Sequence, residues 1–187
     1  TLPHERLSPK GDTVTKRLKV LNEIQSKNSP RIIITSIRGL LQPISKSTIT
    51  SKVINLNAGL EIGMDKLLNE LVHFGYTRTD LVERRGDFAV RGGIVDLFPA
   101  DLEHPIRIDF FGDEIESLAY FTVSDQRTFE DINSARVFPI RELLIDDEVK
   151  KKAAYLATEF PQIRELAGKI SEGIYAEGME SLIAILK

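Results

Sequence analysis

The stretch "FAVRGGIVDLF", residues 88–98, restricts the fold of this chain more than any other. Two short apolar runs flank a glycine pair, and Gly92–Gly93 suits a two-residue turn of the primed type, which needs positive φ. A bulge in one longer strand is the alternative. Side chains alternate along a strand, so Phe88 and Val90 point one way and Ala89 and Arg91 the other. The pattern therefore predicts a β-hairpin with an arginine beside its turn.

The surrounding residues extend this element into a module. "KVINL" (Lys52 to Leu56) alternates like a strand. Met64, Leu67, Leu68, Leu71 and Val72 then mark an amphipathic helix. Asp65 lies in its first turn, where the helix dipole favours a carboxylate, and Gly75 is placed to end it in the left-handed conformation. Strand signals follow closely in "TDLVER", "FAVR", "IVDLF", "IRIDFF" and "SLAYFTV", and their short connections favour antiparallel pairing. The middle of the chain, 46–139, is expected to be an inserted α+β module.

The flanks have a different pattern. Val14, Leu18, Leu21 and Ile24 fall at helical spacing, and "RIIITSI" (Arg31 to Ile37) reads as a strand buried on both faces, as in a parallel sheet. Residues 1–45 thus read as the first segment of an α/β domain. Residues 140–187 turn helical again. Asp146 and Asp147 open a segment in which Val149, Ala153, Leu156 and Phe160 share a face, Pro161 closes it, and a second helix is predicted from Ile163 to Ile174. The expected architecture is an α/β domain interrupted by an antiparallel-sheet α+β insertion.

The 187 residues are enough to bury a substantial core, and the 42% hydrophobic and 28% charged content is that of a soluble globular protein. With no cysteine, disulfide and thiolate chemistry are excluded, and a cytoplasmic location is expected. No apolar run approaches the roughly 18 residues of a membrane span, and the opening residues do not read as a signal peptide. A net charge of −3 disfavours nucleic-acid binding by this chain alone. Thr1 at the start and the apolar "ESLIAILK" at the end suggest a fragment of a longer polypeptide.

Catalytic patterns are missing. A P-loop needs G-x-x-x-x-G-K-[ST], but Gly168–Lys169 is followed by Ile170 and the upstream glycine position is Ile163. His4, His73 and His104 are far apart in sequence, and no zinc-type spacing occurs. The acidic "GDEIES" (Gly112 to Ser117) reads as a turn between strands, and Lys150 to Lys152 as a solvated helix face. No catalytic residue, metal site or cofactor is expected in this chain. Arg78, Arg84, Arg85 and Arg91 cluster in sequence around Tyr76 and Phe88, a composition typical of interface anchors.

The run "FGYTRTDLVERRGDFAVRGGIVDLFPADLEHPIRIDFFGDEIESLAYF" resembles the second domain of the UvrB family of bacterial nucleotide-excision repair, which includes UvrB and the transcription-repair coupling factors. "TLPHERLSP", "SDQRTFED" (Ser124 to Asp131) and "EGMESL" (Glu177 to Leu182) resemble the coupling-factor branch, in its N-terminal UvrB-homology module. The resemblance implies that the interrupted α/β domain is RecA-like and that the inserted module docks on UvrA. In UvrB, an arginine equivalent to Arg78 and two in its "FRVRG" run contribute to docking. This sequence keeps Arg78 and Arg91 but carries Ala89 at the first arginine of that run.

Accordingly, the resemblance implies a fragment that recruits UvrA in transcription-coupled repair and has no ATPase of its own. The parent would be an ATP-driven DNA translocase that displaces stalled RNA polymerase. Its ATP, magnesium, DNA and polymerase would be held by other regions. The alternative is a fragment of UvrB, the damage-recognition subunit of the excision nuclease. Arg78 and Arg91 are the expected UvrA contacts, on one exposed face. Tyr76, Arg85, Phe88 and Asp96 are the secondary candidates, with Asp96 expected to face solvent or the partner.

Overall fold

The structure, a computed structural model, describes residues 11–26, 29–41 and 53–186. His4, Lys52 and the "TLPHERLSP" stretch lie outside them. The chain divides into two compact units. One comprises Gly11–Lys16 and Lys52–Arg141, and the other Thr1–Lys10, Arg17–Ser51 and Glu142–Lys187.

The first unit is built on β-structure. Strand β1 (Ile54–Asn57) pairs antiparallel with β8 (Ser134–Val137) in a two-stranded sheet. The six-stranded sheet contains β2 (Thr77–Arg78), β3 (Asp87–Arg91), β4 (Ile94–Leu97), β5 (Ile106–Phe111), β6 (Glu114–Phe121) and β7 (Thr128–Asp131). They lie side by side in sequence order. All neighbours are antiparallel except β2 and β3, which run parallel. The short connections read from the sequence produce this meander, since two-residue turns can join only antiparallel strands.

One face of the sheet forms the core. Phe88, Val95, Leu97, Ile106, Ile108 and Leu118 are buried together with Leu67 and Leu71 of the helix Met64–His73. Helix α1 is Gly11–Ile24 and α2 is Ile37–Leu41, which makes Met64–His73 helix α3. Helix α3 ends as its sequence predicts. Gly75 takes φ 90°; its N–H donates to the Val72 carbonyl at 3.0 Å, and the Tyr76 N–H donates to that of Leu71 at 3.0 Å. This is the paired Schellman arrangement, in which a left-handed glycine satisfies carbonyls left open at the helix end.

The second unit packs α4 (Asp147–Glu159) against α5 (Arg164–Ser171) and α6 (Ile183–Leu186). Asp146 caps α4, its Oδ1 accepting from the Val149 N–H at 2.8 Å. Such a cap contributes about 1 kcal/mol. Val149, Ala153 and Leu156 face the core of this unit as their spacing predicts. Phe160 does not: it lies beyond the helix end and is half exposed. Pro161 opens a 3₁₀ turn, Pro161–Ile163, so the second helix starts at Arg164 and stops at Ser171, short of the predicted Ile174.

Two strand expectations are corrected. "RIIITSI" forms no strand, and Ile32 and Ile34 are 80% and 95% exposed. Its apolar residues favour burial between neighbouring strands, but none of the described residues pairs with it. "TDLVER" is also irregular; the strand lies just before it, at Thr77–Arg78. Asp87 accepts from the Arg84 N–H at 2.8 Å, which bends this segment into a loop, and Val82 is buried against Ala89, Phe98 and Phe121.

Candidate partner-binding site

The hairpin has the predicted two-residue turn, with Arg91 directly opposite Ile94. Only the first glycine has a positive φ, 59° at Gly92. This is the sign pattern of a type II′ turn, whose twist matches that of the flanking strands. Gly93 is needed for a different reason. A Cβ there would lie 3.0 Å from the Phe110 carbonyl oxygen of β5, and its own carbonyl accepts from the Phe110 N–H at 2.8 Å.

The register then sets out the second face of the sheet in rows. Ala89, Asp96, Arg107 and Ala119 lie side by side, and Arg91, Ile94, Asp109 and Ser117 form the next row towards the turn. The loop carrying Val82 and the turn after β6 cover the first row, leaving Ala89 and Ala119 buried. The second row is more open. Phe111, one alternation beyond Asp109, is 80% exposed.

Asp96 joins the two rows. Its side chain is only 2% exposed. Its Oδ1 accepts from Arg107 Nε at 2.7 Å, and Oδ2 accepts from Arg107 Nη2 at 3.0 Å and Arg91 Nη2 at 2.5 Å. Arg107 is held further by Nη1 donating to the Gln126 carbonyl at 3.1 Å. Its guanidinium also lies 4.8 Å from the centre of the Phe121 ring. The hydrogen bonds to Asp96 raise the Arg107 pKa above its ordinary value. Arg91 differs: its side chain is 47% exposed, and Asp96 is its partner among the described residues. Asp109, in the Arg91 row, accepts from Ser117 Oγ at 3.1 Å. This corner presents a guanidinium, a carboxylate and a phenyl ring on rigid strands.

The sequence candidates separate accordingly. Arg91 is at the centre of the open corner. Arg78 is exposed on edge strand β2 but pairs in register with Phe88, so its position faces the other side of the sheet from Arg91. Tyr76 is buried, with its hydroxyl donating to the Phe138 carbonyl at 3.1 Å, and burial pushes its pKa well above the usual phenol value. Phe88 is a core residue at 1% exposure. Arg85 is exposed, donating from Nε to the Leu102 carbonyl at 2.9 Å and lying over the Phe98 ring at 5.3 Å. Asp96 corrects the expectation that it faces solvent or a partner. The cover over its row and two guanidinium partners make burial of the carboxylate tolerable.

Sequence reasoning missed Arg107, Asp109 and Phe111. Their i, i+2, i+4 spacing in "IRIDFF" signals a shared face. Only the cross-strand register shows that it is also the face of Arg91. Among the described residues there is no group of three or more His, Asp or Glu side chains able to hold a metal. No described helix is long and apolar enough to cross a membrane.

A sheet that displays polar and aromatic groups at one corner offers a surface of the kind used in protein recognition. Residues 54–143 match the family described as the UvrB interaction domain, which assigns this module of the chain to that family. By that description, residues 54–143 form an interaction domain. The chain is 40% identical over 202 aligned positions to the transcription-repair-coupling factor of Mycobacterium tuberculosis, a match that covers 100% of this chain and 16% of that protein. With the Bacillus subtilis transcription-repair-coupling factor it shares 35% identity over 74% of this chain and 12% of the relative. The UvrABC system protein B of Chlorobium chlorochromatii is 35% identical over 83% of this chain and 22% of its own length. The chain therefore spans about one sixth of the length of the coupling factors it matches.

Proposed function

We propose that this chain is the UvrA-recruiting module of a transcription-repair coupling factor. The observation that carries the proposal is the corner formed by Arg91 and Phe111. There, a half-exposed arginine anchored at one nitrogen shares a sheet face with an 80% exposed phenyl ring. Arginine and aromatic residues dominate interface hot spots, and a braced guanidinium loses little entropy on pairing with a carboxylate. The expected partner surface offers an acidic group beside an apolar pocket. Arg78 faces the other side of the sheet from this corner, so it contributes only where UvrA wraps around edge strand β2.

In this reading the parent protein works in the cytoplasm as an ATP-dependent DNA translocase. It displaces stalled RNA polymerase and delivers UvrA to the lesion. ATP and magnesium belong to its motor domains, and other regions engage DNA and RNA polymerase. Residues 1–45 and 140–187 belong to a RecA-like domain that the module interrupts. The exposed aliphatic side chains of Ile32, Ile34, Leu40 and Leu41 support this, since they suit burial against more of such a domain. The 35% identity to the Chlorobium UvrABC system protein B supports a second reading, as part of a UvrB-type damage-recognition subunit. The whole-chain match to a coupling factor favours the first.

Calorimetric titration of UvrA into this chain tests the proposal. Saturable binding by the parent, weakened at least tenfold by Arg91→Ala and by Phe111→Ala, is the expected result. Unchanged binding by both variants would place the interface elsewhere.

A further inference from the structure

The geometry points to Asp96 as the positioning residue of this interface. It makes no contact with the partner, but it fixes the Arg91 guanidinium in the direction from which it binds. This inference rests on the UvrA-docking reading of the Arg91 corner.

The two arginines on Asp96 are held differently. Arg107 donates to Asp96 from Nε and Nη2 and to the Gln126 carbonyl from Nη1, and its guanidinium lies over the Phe121 ring. With each of its nitrogens engaged and its side chain 15% exposed, Arg107 acts as a brace. Arg91 makes one of these contacts, from Nη2, leaving Nε and Nη1 without a partner among the described residues. Because Asp96 Oδ2 already accepts from Arg107, the carboxylate cannot swing to follow Arg91. Arg91 must align to it. The flexible side chain thus becomes a fixed donor, and the ordering entropy that binding would otherwise cost is already lost in the free protein.

The brace extends into the turn after β6. Gln126, at φ 61°, supplies the carbonyl for Arg107, and its Nε2 donates to the Val123 carbonyl at 2.8 Å. Thr122 Oγ1 donates to Asp125 Oδ1, and that oxygen accepts from the Arg127 N–H at 3.1 Å. The "SDQRT" stretch therefore supports Arg91 at a distance, through Arg107 and Asp96.

A double-mutant cycle tests the inference with Asp96→Asn, Arg91→Ala and the combined variant, each titrated with UvrA. Asparagine keeps the shape of Asp96 but places an amide donor against a guanidinium. Asp96→Asn should weaken binding about tenfold in the parent background. It should have almost no further effect once Arg91 is alanine, because it acts through Arg91. An equal loss in both backgrounds would show a merely structural role and overturn the inference. Nitrogen-15 NMR of the unsubstituted chain supplies a test that needs neither UvrA nor a stable variant. The Arg91 guanidinium should rotate about its Nε–Cζ bond far more slowly than that of Arg78. Equal rates would overturn the positioning role, even if Arg91→Ala lowers UvrA affinity. If Arg91 rotates slowly but Arg91→Ala leaves UvrA affinity unchanged, the docking reading fails, and with it Asp96's role in the interface.

Discussion

The two faces of the hairpin use the same strands for opposite purposes. On one, Phe88, Val95 and Leu97 are sealed against helix α3 and contribute stability. On the other, Asp96 is equally buried but is surrounded by charge, and in the next row, on the neighbouring strand, Arg91 is half exposed. The apolar face holds chiefly by burial and close packing, which constrain shape but do not aim a polar group. The polar face has to satisfy a buried carboxylate, and hydrogen bonds do so only in particular directions. A binding residue can therefore be oriented by the second face, while the first provides the rigidity that makes orientation useful.

Substitutions on the two faces should separate stability from binding. The largest folding effect is expected for Phe88→Ala, which removes a core ring and should cost about 3–5 kcal/mol in denaturant titration. Asp96→Ala comes next, at about 2–3 kcal/mol, because it strips Arg107 of charged hydrogen bonds in a mostly buried setting. Arg91→Ala should change folding stability by about 1 kcal/mol, because the buried Asp96 loses one charged hydrogen bond but keeps both from Arg107. Phe111→Ala should change it by no more than about 0.5 kcal/mol. Their larger effect falls on UvrA affinity, with a loss of at least tenfold, or about 1.4 kcal/mol. If Arg91→Ala unfolds the chain, the contrast between the two faces is false.

A smaller effect comes from a second carboxyl group buried among the described residues, Glu142 of the helical unit. Arg17 Nη1 pairs with it at 2.7 Å, yet burial still holds its pKa above the usual carboxylate range. The folded state therefore keeps this proton more tightly than the unfolded chain. The associated stability is fully present below the unfolded value of about 4.3 and is lost as pH rises through the folded value. Glu142→Gln should remove this slope. Compared with the variant, the parent should be most stable in acid and lose that advantage towards neutral pH in paired thermal melts. A difference independent of pH would contradict the assignment.

Local signals were legible where the sequence itself supplies the chemistry. The glycine pair gave the hairpin turn, Gly75 the end of α3, and Asp146 the start of α4. Contacts between distant segments were not legible. Alternation puts Asp96 on the Arg91 face but does not reveal that the loop carrying Val82 covers that row. It cannot pair Arg107 with Asp96 without the β4–β5 register. "RIIITSI" shows the converse limit. Its composition favours a buried strand, but a strand also needs neighbours, which the described residues do not provide. For the proposed site, the hairpin pattern put Arg91 beside the turn, where it is half exposed, Tyr76 and Phe88 proved to be core residues, and Phe111 emerged only from its exposure.

Docking of UvrA at the Arg91 corner is tested most directly by an NMR footprint of UvrA on this chain. Signals of Arg91, Ile94, Asp109 and Phe111 should shift or broaden together on titration, while those of Val95, Leu97 and Ile108 on the packed face stay in place. A footprint confined to the packed face, to edge strand β7 or to the helical unit would contradict the account.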